Sequence, residues 1–175
     1  TGDPGYVQVL YRENGNTTDN LPWDPCCADP QAVRAGVQAV IDEQGADFGA
    51  GSVNKEQWHL AILRSGTGTA ARAAWLDYDW SGRHSHHDGM NLGLYACGLD
   101  LLPDFGYPPV HYGGWDAPRA LWYTRPEAHH TVTVDGRPFE PAWARDPVGG
   151  QTTLWADGQA IRAMCASAPN LYADC

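Results

Sequence analysis

Two periodicities divide the chain. Val33, Val37, Val40 and Ile41 recur at helical spacing, as on the apolar face of an amphipathic helix. Asp29-Pro30 stands before them and Gly45 after, which reads as an N-cap, a proline at the first helical position and a glycine stop. A helix is therefore expected over 30–44. Residues 6–11 (Tyr-Val-Gln-Val-Leu-Tyr) fit a short strand or the end of a helix equally well. From residue 56 the period becomes two. Residues 57–64, 72–79, 90–97, 130–135, 151–156 and 159–166 read as strands between Gly, Pro or Asp turns. Leu92 and Leu94 share one face, as do Val132 and Val134. The spacing predicts a mainly β protein, an antiparallel β-sandwich over 51–175. A helical and loop segment over 1–50 precedes it, and the small residues 45–51 form the boundary. Residues 105–128 interrupt the pattern with an aromatic, Pro- and Gly-rich stretch, and a loop of that length inside a domain is usually functional.

Composition agrees with a turn-rich β fold. The 175 residues include 20 Gly, 13 Pro, eight Trp and eight Tyr, above ordinary usage for Gly and Pro. The net charge is −10, which argues against nucleic acid, because phosphate binding needs a basic footprint. It also gives no long-range attraction for an acidic polysaccharide, so such a substrate would depend on local arginines. No apolar run is long enough to span a bilayer. The five cysteines, Cys26, Cys27, Cys97, Cys165 and Cys175, show no C-x-x-C pair, which speaks against zinc-finger and thioredoxin chemistry. Adjacent Cys26 and Cys27 are not expected to bridge each other.

The candidate chemistry is concentrated. Five of the seven histidines lie in His84-Ser85-His86-His87-Asp88 or in His129-His130. On an extended chain His84, His86 and Asp88 point to one side and His87 to the other. His86, Asp104 and His129 would supply two imidazoles and a carboxylate, a donor set suited to zinc. The competing reading is a surface histidine turn with two ordinary capping residues. Arg83, Arg119 and Arg125 flank the same segments, and a guanidinium fork suits a uronate carboxylate. Trp115, Trp122 and Tyr123 could line a sugar-binding cleft, or serve only as loop packing.

These motifs together resemble the heparinase II/III-like polysaccharide lyases. The resemblance rests on His84-Ser85-His86-His87-Asp88, Leu92-Gly93-Leu94-Tyr95-Ala96-Cys97-Gly98, Leu101-Leu102-Pro103-Asp104-Phe105-Gly106-Tyr107 and His129-His130-Thr131-Val132-Thr133-Val134-Asp135-Gly136. The upstream Leu60-Ala61-Ile62-Leu63-Arg64-Ser65-Gly66 looks like the strand that opens the domain. The similarity runs from about residue 57 to about 157. It implies a β-sandwich behind an α-helical toroid, with the cleft between them and cleavage of uronate-containing glycans by β-elimination. Position by position, His84 matches a catalytic histidine, and His86, Asp104 and His129 match a structural zinc set. His130 departs from the family's usual Asn, and residues 1–50 match at most the last helix of the toroid.

The expectation is thus the sandwich portion of a secreted or periplasmic lyase, inactive without a helical toroid domain or another chain. Its partner would be an acidic polysaccharide, and its cofactor one structural zinc. The alternative is a non-catalytic extracellular module, metal-stabilised, that binds carbohydrate or serves assembly.

Overall fold

A computed structural model describes residues 4–80, 86–114, 116–137, 149–169 and 171–172. The chain forms two compact units, Thr1–Ala50 and Gly51–Cys175. In the first, α1 (Pro4–Glu13) and α2 (Pro30–Gln44) are helices, which resolves the ambiguous run 6–11 as helix. The Asp29 side chain accepts from Ala32 N at 2.9 Å, and the Gly45 N–H closes the last turn on the Ile41 carbonyl. Each bond satisfies a backbone group that a helix end leaves open. Leu21 and Val37 are its buried apolar residues, and buried Gln8 donates to the Gly45 carbonyl at 3.0 Å.

The second unit is antiparallel β, in two sheets. β1 (Val53–Lys55), β2 (Leu60–Ser65), β3 (Arg72–Asp77), β4 (Asn91–Ala96) and β5 (Leu99–Asp100) form a five-stranded sheet in sequential order. β6 (Gln151–Asp157) and β7 (Arg162–Ser167) form a separate hairpin. The register places Trp75 opposite Gly93 and Asp77 opposite Asn91. A Cβ at Gly93 would lie 1.8 Å from the Trp75 ring, so the indole lies where a side chain would otherwise stand. Tyr78 is buried; its hydroxyl bonds Asn54 Oδ1 at 3.1 Å and lies 3.0 Å from Thr152 Oγ1, linking the sheet to the hairpin. Trp80 and Leu171 form a buried pair with Met90, Ala168 and Tyr172 against it.

Two expected strands differ. The strand expected from 57 begins at Leu60, because Glu56–Trp58 is a 3-10 turn and His59 takes a left-handed φ of 50°. Residues 130–135 form no strand. The His130 carbonyl accepts from Leu92 N, but next along the segment the Thr131 hydroxyl, not its amide, meets the Gly89 carbonyl, so the ladder goes no further. Asp135 and Gly136 then turn the chain with positive φ, leaving a lone Val134–Arg137 bridge. Within 105–128 the chain folds into the short helix α3 (Pro118–Leu121) and three 3-10 turns, Val110–Tyr112, Trp122–Thr124 and Pro126–Ala128.

Candidate metal centre

Three segments meet at the N-terminal end of β4. The first is 86–90, leading into the strand; the second is 101–106, after β5; the third is 122–131. Leu101 N and Leu102 N both donate to the Leu94 carbonyl, which fixes the turn carrying Asp104. His87 N donates to the Thr124 carbonyl at 2.8 Å, and Leu92 N to the His130 carbonyl at 3.0 Å. These bonds join the first and third segments at both ends of the intervening residues.

His86 and His129 are both buried, with ring centroids 5.1 Å apart. Tyr107 stands edge-on to His86 at 5.8 Å. Asp104 Oδ2 lies 3.0 Å from His129 Nδ1, and the Tyr123 carbonyl lies 2.9 Å from His129 Nε2. Both nitrogens therefore face acceptors, and only the doubly protonated ring donates to both. Burial, the largest single influence, opposes that charge, and the Asp104 hydrogen bond is the strongest influence against it. With the nearby charges of Asp88 and Asp104 and the Tyr123 carbonyl, that bond raises the His129 pKa above 6.5. The same His129 bond, against burial and helped by the Gly106 N–H, holds Asp104 down to about 2.

His86 behaves oppositely. Burial, above all, lowers its pKa below 6.5, so the ring is neutral near pH 7. Among the described residues its Nε2 is the buried side-chain atom left without a hydrogen-bond partner. An orphaned buried polar atom is costly, and a neutral imidazole nitrogen is also the commonest metal donor. Ligand atoms of His86, Asp88 and His129 all lie within 4.8 Å of one another. These residues fit a zinc-type ion as two imidazoles and a carboxylate: His86 Nε2 is already bare, while His129 would become the second nitrogen donor by releasing a ring proton and giving up one of its two hydrogen bonds.

The structure places the sequence-derived residues as follows. His86 and His129 converge, and Asp104 is hydrogen-bonded to His129. Asp88, noted in the sequence for its shared face with His86 but not taken as a ligand, joins the group. Trp122 and Tyr123 pack edge to face at 5.4 Å, and Trp122 lies 5.5 Å from Phe105. Arg119 lies 5.9 Å over the Tyr112 ring, and Arg125 is exposed. Arg83, His84 and Trp115 lie outside the described residues. Sequence reasoning did not single out Asn91, Phe105 and Tyr107. For Asn91 the available signal was a polar side chain opening an apolar strand. Cys26, Cys27, Cys97 and Cys165 are free, with no Cys26–Cys27 bridge, and Cys175 lies outside the described residues.

The fold has known counterparts. Two structures of heparinase III match with TM-scores of 0.61 and 0.59, each at 16% identity over 95% of this chain. A heparan sulfate lyase HepC mutant from Pedobacter heparinus matches with TM-score 0.60 at 17% identity, again over 95% of this chain. This chain shares the fold of one part of heparinase III. It spans only 23% to 24% of the length of those structures. No protein-family model matches the sequence, and no curated protein matches it. The shared fold accounts for the two antiparallel sheets after a helical segment. Among the described residues, no helix is long and apolar enough to cross a membrane.

Proposed function

We propose that this chain is the β-sandwich portion of a polysaccharide lyase that cleaves uronate-containing glycans by β-elimination, working with a helical region beyond these residues. The observation that carries the reading is the convergence of buried His86 and His129 with carboxylates, on a fold shared with heparinase III. His86, His129 and Asp104 are the proposed zinc ligands, with Asp88 within reach as a further carboxylate. The ion would supply fixed positive charge that ties the segment before β4 to residues 101–106 and 122–131. Both histidines are buried, which supports a structural rather than a substrate-facing ion.

Elimination requires neutralisation of the uronate carboxylate, a base for the C5 proton and an acid for the leaving oxygen. We assign the first to Arg83, Arg119 and Arg125, and a proton-transfer role to His84, two residues before His86. Trp115, Trp122 and Tyr123 are assigned to sugar stacking. Of these, Trp122 is exposed and stands beside Tyr123, whose carbonyl holds His129. Secretion or export to the periplasm follows from an extracellular glycan substrate.

The 175-residue chain is expected to release no unsaturated uronate from heparan sulfate, alginate or hyaluronan, read by ultraviolet absorbance. Proton-transfer groups contribute little without their partner and a positioned substrate. Product from the isolated chain would show that its active site lies elsewhere. In an active longer polypeptide, His84→Ala should abolish turnover while leaving metal content intact.

The second reading, a metal-stabilised module that binds carbohydrate without cleaving it, is favoured by one observation: the buried His86–His129 pair knits three segments together whether or not chemistry occurs nearby. Glycan binding by a longer polypeptide, without turnover, would establish it.

A further inference from the structure

Asn91 is the first residue of β4, buried, and its backbone is paired with Asp77. Its amide nitrogen donates to Asp104 Oδ2 at 3.0 Å, and its amide oxygen accepts from His130 N at 3.0 Å. One side chain thus touches two of the segments that carry candidate ligands. Asp104 Oδ2 is the same oxygen that faces His129 Nδ1, while Asp104 Oδ1 accepts from Gly106 N at 2.6 Å. With a donor on each oxygen the carboxylate cannot rotate freely, and Oδ2 is held toward the imidazole. On the other side, the His130 N–H goes to the Asn91 side chain and the His130 carbonyl to Leu92 N. The peptide unit on either side of His130 is clamped against β4, which fixes the adjacent His129.

We propose that Asn91 is a positioning residue of the metal centre, setting both the rotation of Asp104 and the placement of His129. The chemistry requires an amide. An alanine makes neither bond, and an aspartate accepts from His130 N but cannot donate to an ionised Asp104. Residues one shell outside the ligands orient them, and losing one commonly lowers metal affinity by about 10- to 100-fold. This inference rests on the metal reading above.

The test is Co(II) binding by the full chain, followed by titration and by the visible absorption that reports ligand number and geometry. Asn91→Asp should weaken Co(II) binding by about tenfold or more and alter the band shape, with the far-ultraviolet circular dichroism retained. Asn54→Ala is the control. It removes an amide that bonds Tyr78 and Thr152, so it should lower stability without moving the Co(II) spectrum. If Asn91→Asp fails to fold, Asn91→Ser, which keeps a small polar group without a second like charge, takes its place with the same expected loss. Affinity and spectrum unchanged in the folded variant overturn the role of Asn91 alone. Native chain that takes up no Co(II) overturns the metal reading and this role with it.

Discussion

Asp104 Oδ2 lies 3.0 Å from His129 Nδ1, and the bond joins a partly exposed carboxylate to a ring that is almost wholly buried. The bond draws the two pKa values apart, raising His129 and lowering Asp104 to about 2. In metal-free protein the two shifts define a window. Asp104 contributes stability above its ordinary 3.8, and that contribution is lost as pH falls toward 2. His129 contributes below its ordinary 6.5, and loses that contribution as pH rises through its raised value. The pair is therefore strongest between about pH 4 and 6.5. With EDTA present, Asp104→Asn should lower stability most in that window, by about 1 kcal/mol after discounting solvent screening of the half-open carboxylate. A melting-temperature difference that grows instead above pH 8 would contradict the assignment.

Metal removal should have a larger effect. Elemental analysis of purified protein is expected to find about one zinc-like ion per chain. At a free-metal concentration 100 times Kd, binding to the folded form alone adds about 2.7 kcal/mol. Chelation should then lower the melting temperature by about 5–10 °C. His86→Ala should abolish both the metal content and the EDTA effect. A chelated sample that melts with the native one would sink the zinc reading.

Asp77 offers an independent pH test. Burial, opposed by the Asp79 N–H and reinforced by the charges of Asp88 and Asp104, pushes its carboxyl up from 3.8 to about 6. The unfolded chain gives up this proton at a lower pH than the fold does, so stability falls as pH rises between these values. Asp77→Asn, which keeps an acceptor for Asp79 N, is expected to stabilise metal-free protein above pH 6, by at most about 3 kcal/mol. The gain should vanish below pH 4. Thermal melts of both proteins at pH 4 and pH 8 decide it, and equal differences at the two pH values would refute it.

Gly93→Ala should destabilise the sheet by about 1–3 kcal/mol through overpacking, since the new methyl meets the Trp75 ring. Trp75→Leu should relieve part of that cost, so the double variant should be less destabilised than the sum of the single ones. Strict additivity in denaturant titrations would show that the ring simply swings away.

Much of this architecture is local and was written in the sequence. Asp29-Pro30 and Gly45 bound α2 because capping depends on residues within one turn of the helix end. The alternation after residue 56 marks β2, β3, β4, β6 and β7, because each strand must put its side chains on opposite faces. The grouping of His86 with His129 was an expectation that the family resemblance implied, since spacing along the chain shows only that the donors are available. What depended on the tertiary structure was decided by partners distant along the chain. Residues 130–135 alternate like a strand, yet a ladder needs a neighbouring backbone, and there the Thr131 hydroxyl takes the Gly89 carbonyl. Asp88 entered the metal group, and Asn91 became a bridge between Asp104 and His130, only when the chain brought 86–91, 104 and 129–130 together. The pKa values of Asp77, Asp104 and His129 follow the same rule. Residue type sets their ordinary values, while burial, hydrogen bonds and neighbouring charges brought close in the folded molecule set the shifts.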